Sequence, residues 1–417
     1  MTEVISGGAA RRRYLVLLAL RWFPVGLWIP LGVLLALSQG LSLAEAGLAA
    51  SCQGFVVLAL ELPTGGMSDS WGRRPVLVLA AVVGIGSTGL LVFADTFGMF
   101  AAAFVLQGVF RALDSGPLQS WYVDATLAAD PAAKLERGLS AGGTVTGIAI
   151  GAGALASGGI VAWLRLPGVP VLVQPLLLSL LVQVVALVLV LVLVVEAPHA
   201  DGDRGFVASL RAVPSVIVDS IRLVRASDVL ACLILVELTW GFGMITFETL
   251  MPVRMSELVG GEEAAAAITG PVVAVAWLVS AAGAAAIPLL TARIGVGRTG
   301  ALLRVAQGVT VLGMGLLAGP VGLVTGYLAT YLVHGASDPV HSTLLHREVT
   351  GERRTTVLSL NSMMGQASGA IGLIVLTVLA SGVSTSFAMV VGAVVLALAA
   401  PLYLPAVRAE RRTPVSV

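Results

Sequence analysis

The residues that ask for a chemical explanation here are the ionisable and aromatic side chains inside long apolar stretches. Glu237 lies about ten residues into the apolar stretch 228–253, near mid-depth at a rise of 1.5 Å per residue. Trp240, Met244 and Glu248 follow at +3, +7 and +11, which sets all four on one helical face. A charge at the centre of a bilayer costs roughly 2.5–3.5 kcal/mol, so such groups mark functional positions. A carboxylate beside an aromatic surface and a pliable thioether suits a lipophilic cation. The same carboxylate suits proton uptake and release. The simpler account is a neutral, hydrogen-bonded glutamic acid that holds helices together.

Other charges sit in comparable places. Arg21, in the inner half of the first apolar stretch, and Glu61, at similar depth in the second, are expected to form a structural ion pair. Arg111 and Asp114, one turn apart, are expected to pair locally. His334, Asp338 and His341 share a face, with Asp338 and His334 as secondary titrating groups and His341 expected at the membrane interface. Asp338-Pro339 also implies a distortion that frees backbone carbonyls. Cys52 and Cys232 form no metal-like spacing. No nucleophile, metal cluster or acid pair stands out, and no phosphate-cradling glycine loop is present. The expectation is therefore no enzyme, no cofactor and no direct use of ATP, with an ion gradient as the energy source. A proton returning down 100 mV supplies about 2.3 kcal/mol, with about 1.36 more per pH unit.

The elements that position these groups follow from composition. Of 417 residues, 57% are hydrophobic and only 11% charged, with a net charge of +1. Mean hydropathy is +0.98. Soluble domains run near 25% charged, so the solvent here must be largely lipid, and nucleic acid is not an expected partner. Twelve apolar stretches can be marked at about 14–38, 43–67, 75–95, 98–123, 138–163, 170–195, 228–253, 264–290, 299–318, 320–345, 355–381 and 384–406, each near the 20 residues that a span requires. Arg11–Arg13, Arg73, Arg74, Lys134, Arg137, Arg293, Arg298, Arg347 and Arg408 fall on one side of this scheme. Only Arg165 and Arg254 fall on the other, which places both termini in the cytoplasm. Residues 197–227 form a central connection whose helical apolar spacing (Phe206, Leu210, Val213, Ile217) reads as a surface helix. It separates residues 1–196 from 228–417, six spans each.

The halves echo one another. Ser115-Gly116-Pro117 follows span 4, and Ser337-Asp338-Pro339 is read as following span 10. The junction Asp69-Ser70-Trp71-Gly72-Arg73-Arg74 after span 2 has a degenerate copy, Ala292-Arg293-Ile294-Gly295-Val296-Gly297-Arg298, after span 8. The segment from Gly65 through Asp69 and Gly72 to Arg73 and Arg74 resembles the signature loop of the major facilitator superfamily, with Ser70 standing where that family usually has a basic residue. Asp124 resembles the acidic partner of Arg73 in the same pattern. Glu61-Leu62-Pro63-Thr64-Gly65 and the Asp114-Ser115-Gly116 region look like the twelve-span drug:proton antiporter branch.

The resemblance implies an all-α integral membrane protein, twelve helices in two pseudo-symmetric six-helix bundles. It implies a cytoplasmic latch made of Gly65, Asp69, Gly72, Arg73, Arg74 and Asp124. The expected activity is proton-coupled efflux of amphiphilic, drug-like molecules, hence multidrug export and antibiotic resistance, by alternating access. The expected setting is the bacterial plasma membrane, with a small-molecule substrate, protons and lipid as partners and a monomer as the working unit. Two rivals stay open: a proton-coupled importer of a small metabolite, and a non-transporting sensor or assembly protein of the same fold.

Overall fold

The computed structural model describes residues 5–195, 218, 221–349 and 353–412, apart from the side chains at 65, 66, 69, 70, 353–356 and 412. Most of the central connection, with its expected surface helix, lies outside the described residues. Residues 221–226 are helical.

Spans 1, 2, 7 and 12 begin at a serine whose side chain satisfies one of the first free amides of the helix. Ser6 Oγ accepts from Ala9 N and opens span 1, Gly7–Trp28 continued by Gly32–Ser38 after a 42° bend. A capping box of Ser42 and Glu45 opens span 2, Leu43–Trp71. Spans 3, 4, 5 and 6 are Arg73–Val92, Phe97–Asp114 continued by Pro117–Ala129, Glu136–Trp163 and Gln174–Leu193. Ser227 caps span 7, Asp228–Glu248 continued by Leu250–Val259. Spans 8 to 11 are Glu262–Ile294, Val296–Leu316, Gly319–Glu348 and Arg353–Gly382. Ser384 caps span 12, Thr385–Leu398, which leads into Leu404–Arg412.

Ten of the described helices are long and apolar enough to cross a membrane, eleven when the bent pair of span 1 is taken together. Span 10 completes the set with 30 residues; its polarity comes from His334, Asp338, His341 and the charges near its end. The molecule exposes large apolar side chains such as Leu278, Leu289 and Val321, as a lipid-facing surface does.

Packing repeats with two-fold regularity. Span 1 packs on spans 5 and 6, span 4 on spans 2 and 3, and span 3 on span 6. In the second half span 7 packs on spans 11 and 12, span 10 on spans 8 and 9, and span 9 on span 12. The two bundles meet where span 2 lies on span 11 and span 5 on span 8. The junction glycines repeat as well: Gly72 has φ 94°, ψ 160° and Gly295 has φ 85°, ψ 161°, a backbone that residues with a Cβ rarely adopt.

One echo sits differently from its expected place. Ser337-Asp338-Pro339 lies inside span 10, which runs on as helix to Glu348, whereas Ser115-Gly116 breaks span 4, with Gly116 left-handed at φ 97°. A proline within a helix lacks one N–H but can be carried by packing on both sides, whereas a left-handed glycine ends the helix.

The bundles approach most closely in the half of the molecule away from the termini. There a Cβ on Gly158 would stand 3.1 Å from Gly270 Cα and 2.9 Å from Ala267 O, and one on Gly54 would stand 2.9 Å from Ala370 Cβ. Small residues let helix backbones come this near, which is how spans associate where lipid offers no hydrophobic drive.

Candidate functional site

Between the bundles lies a central cavity of about 620 Å³, which Gly54 and Ala370 of that closure also line. Its walls come from spans 1, 2 and 4 on one side and spans 7 and 11 on the other. This size fits a small-molecule ligand. Glu237, Trp240, Met244 and Glu248 all line it, so the one-face spacing on span 7 becomes one wall of the cavity. The facing wall carries Arg21, Arg111, Gln53, Gln107, Trp28 and Phe110. Span 11 adds Asn361, Ser362 and Gln366.

Two polar assemblies stand behind the span 7 wall. Glu248 Oε1 accepts from the Tyr331 hydroxyl at 2.6 Å. Tyr331 belongs to an aromatic group with Phe247, Tyr327, Trp277 and His334. The His334 ring stacks on Trp240, with centroids 5.7 Å apart and planes 11° apart. Its Nδ1 and Trp277 Nε1 are buried with no hydrogen-bond partner among the described residues.

Deeper towards the termini, His341 Nε2 stands 3.6 Å from Glu237 Oε2 and 3.1 Å from Asn361 Oδ1. Its Nδ1 is 3.4 Å from the Tyr403 hydroxyl. His341 is 4% exposed, so it is a buried group of the second bundle and not the interfacial residue that its position near the helix end suggested. Packing of span 12 over the end of span 10 makes the difference, because Tyr403 closes that side. Asp338 is exposed and does not line the cavity. Arg304 on span 9 is also buried in this bundle, 3% exposed. Arg304 Nη1 donates to Gln307 Oε1 at 3.1 Å. Nothing in the sequence pattern sets Arg304 apart, since it stands only five residues after Thr299, near the start of its apolar stretch. The available signal was its depth once span 9 is taken to begin at Val296.

In the first bundle Arg21 pairs with Asp114 through Nε and Oδ2, and not with Glu61. Asp114 therefore does not pair with Arg111 as expected; Arg111 projects into the cavity. Glu61 accepts from Ser115 Oγ at 3.4 Å instead. Span 1 packs on the Pro117–Ala129 continuation of span 4, and this contact carries Arg21 to Asp114. The Arg21 guanidinium also lies 4.4 Å from the centroid of the Phe110 ring and 4.9 Å from that of Trp22.

At the terminal face Arg73 Nη2 lies 3.2 Å from Asp124 Oδ2, and Nη1 donates to Ser68 O at 3.1 Å. Arg74 Nη2 donates to Leu191 O at 2.5 Å. Gly72, just before them, makes the turn between spans 2 and 3. The Asp69 side chain and any part of Gly65 in this arrangement lie outside the described side chains.

Residues 15–337 match the Major Facilitator Superfamily. Among curated proteins none matches this chain. A mutant form of the nucleoside transporter NupG superposes with a TM-score of 0.78 at 12% identity, covering 95% of this chain and 99% of that one. A bacterial homologue of the human lysosomal transporter Spinster, inward-facing and unoccupied, gives 0.72 at 15% identity over 98% and 99%. The human organic anion transporter MFSD10 gives 0.63 at 17% identity over 95% and 99%. At such identities these likenesses speak for the fold.

Proposed function

Because this chain belongs to the Major Facilitator Superfamily and is a membrane transporter of small molecules, we propose that it exports amphiphilic compounds in exchange for protons. The observation that supports this reading is the span 7 wall, where Glu237, Trp240, Met244 and Glu248 face a cavity shared by both bundles. A cation would meet two carboxylates, an indole face and a thioether there. Glu237 is the proposed exchange site: it holds either a proton or the cation, so entry of one releases the other. His341, at 3.6 Å, is the group that would hand its proton on, and Tyr403 and Asn361 orient that ring.

Alternating access follows from the contacts. The bundles touch through Gly54, Ala370, Gly158 and Gly270 on one side of the cavity. With the termini in the cytoplasm of a bacterial cell, the arrangement is open to the inside. Arg73 and Asp124 tie the ends of spans 3 and 4 together within the first bundle at that face, so this part of the latch keeps the bundle rigid while the two bundles rock.

A second reading, uptake of a small polar solute, is favoured by the amides Gln53, Gln107, Asn361 and Gln366 on the cavity walls. One experiment separates the two. Sealed vesicles holding the purified protein are given a pH gradient and a lipophilic fluorescent cation, with Glu237→Gln as the comparison. Gradient-driven accumulation that vanishes in the variant supports antiport. Failure of the unaltered protein to move any of several cations, together with gradient-driven movement of a nucleoside or similar polar solute, overturns the export reading.

A further inference from the structure

A second cavity, of about 120 Å³, lies wholly inside the first bundle among spans 1, 3, 4 and 6. Spans 3 and 6 contribute nothing to the central cavity, yet they form half of this chamber through Leu77, Ala81, Leu91, Leu176, Ala186 and Val190. The two cavities share five lining residues: Arg21, Val25 and Trp28 of span 1, and Gln107 and Phe110 of span 4. The same side chains therefore border both spaces.

Several of the chamber's polar groups are engaged with one another or with their neighbours. Gln183 Nε2 donates to Thr88 Oγ1 at 2.8 Å and to Ser179 Oγ at 2.9 Å, which uses both of its amide protons. Gln107 Oε1 accepts from Ser87 Oγ at 3.0 Å, and Asp114 holds Arg21. Most of the lining is apolar, from Leu17 and Leu77 to Leu176 and Val190, so the space favours an apolar guest over water, which needs two to four polar partners. Its size is near the roughly 150 Å³ of an apolar cavity that takes benzene. Phe110 stands at the boundary with its ring under the Arg21 guanidinium, and Gly84 gives it room, since a Cβ there would lie 3.1 Å from Phe110 Cδ2.

We propose that this chamber is a substrate subsite, taking the short aliphatic or aromatic arm of an amphiphile whose cationic end lies against span 7 in the central cavity. The arm passes between spans 1 and 4, over Val25 and beside Phe110. The assignment rests on the export reading for the cationic end, and it narrows the substrate to molecules with one apolar arm set apart from the charge.

The test uses the full chain in lipid nanodiscs and a quaternary ammonium probe whose alkyl arm ends in a photoreactive diazirine. Labelled residues are mapped by mass spectrometry, with and without excess unlabelled probe. The expected result is competable labelling of Leu77 and Leu176, which are 5% and 1% exposed, and its loss in Ala81→Phe and in Ala186→Phe. Two fillings from different helices guard against one that fails to fold, and each is checked for a monodisperse elution profile. Labelling only on Leu79, Val82 and Leu181, at 39%, 51% and 61% exposure, means attack from the lipid and overturns the proposal. Labelling confined to spans 2, 7 and 11 overturns it too, while leaving export intact. Absence of any competable label overturns both. Labelling of Leu77 and Leu176 in a protein whose cation flux ignores Glu237→Gln upholds the chamber and removes the coupling scheme.

Discussion

Glu237 and His341, 104 positions apart in the chain, bring Oε2 and Nε2 to 3.6 Å beside a cavity that only Glu237 lines. One face of the pair meets solute and the other is sealed by Tyr403. Glu237→Gln should lower gradient-driven cation flux at least about tenfold, a change worth about 1.4 kcal/mol or more. His341→Gln, which keeps a neutral polar group, should slow flux less and leave cation binding near its original strength. Flux in vesicles and equilibrium binding in detergent read the two effects separately. Equal flux losses with equal binding losses would mean that His341 merely holds the fold.

The Arg21–Asp114 pair should behave as a partly buried ion pair between spans 1 and 4. Arg21→Ala and Asp114→Ala each leave a charge behind in the bundle and should cost on the order of 3 kcal/mol. The double variant should lose less than the sum, with a coupling of about 0.5–3 kcal/mol. Unfolding midpoints of the three variants in one detergent complete the cycle. Additive losses would argue against the pair.

Tyr331→Phe removes the hydroxyl that donates to Glu248 at 2.6 Å. Leaving the carboxylate without that partner should destabilise the protein by about 1–3 kcal/mol. Glu248→Gln still accepts from Tyr331, so it should unfold at nearly the original temperature while binding a cation more weakly. Thermal unfolding followed by a cation titration distinguishes the two outcomes.

The contact of Gly158 with Gly270 seals the half away from the termini. Gly158→Val puts methyl groups where Gly270 Cα and Ala267 O stand, and the two backbones must part. A cysteine at the buried position Ala46, which lines the cavity, should then react about tenfold faster with an impermeant maleimide added from that half, the equivalent of about 1.4 kcal/mol in conformational balance. Cys52 and Cys232 are replaced beforehand. An unchanged rate would show that the closure does not depend on this contact.

Much of the architecture was legible because a bilayer imposes a local rule. Some 20 apolar residues must form each helix whatever else surrounds them, so hydropathy marked the spans from sequence. The shared face of Glu237, Trp240, Met244 and Glu248 followed from helical period alone. The turn at Gly72 followed from the backbone that only glycine adopts readily.

The identity of each buried charge's partner followed from neither rule. Hydropathy says how deep a residue lies but not how its helix is rotated or which helix lies beside it. Arg21 and Glu61 share a depth, yet packing of span 1 against the continuation of span 4 gives Arg21 to Asp114. Arg304 is buried where span 9 packs on spans 10 and 12, and His341 looked interfacial until Tyr403 covered it. The sequence by itself determined the spans, the repeat and one wall of the cavity, because those depend on segments. The tertiary structure alone decided the ion pairs, the facing wall and the chamber behind Phe110, because those depend on helix rotation and on contacts between residues far apart in the chain.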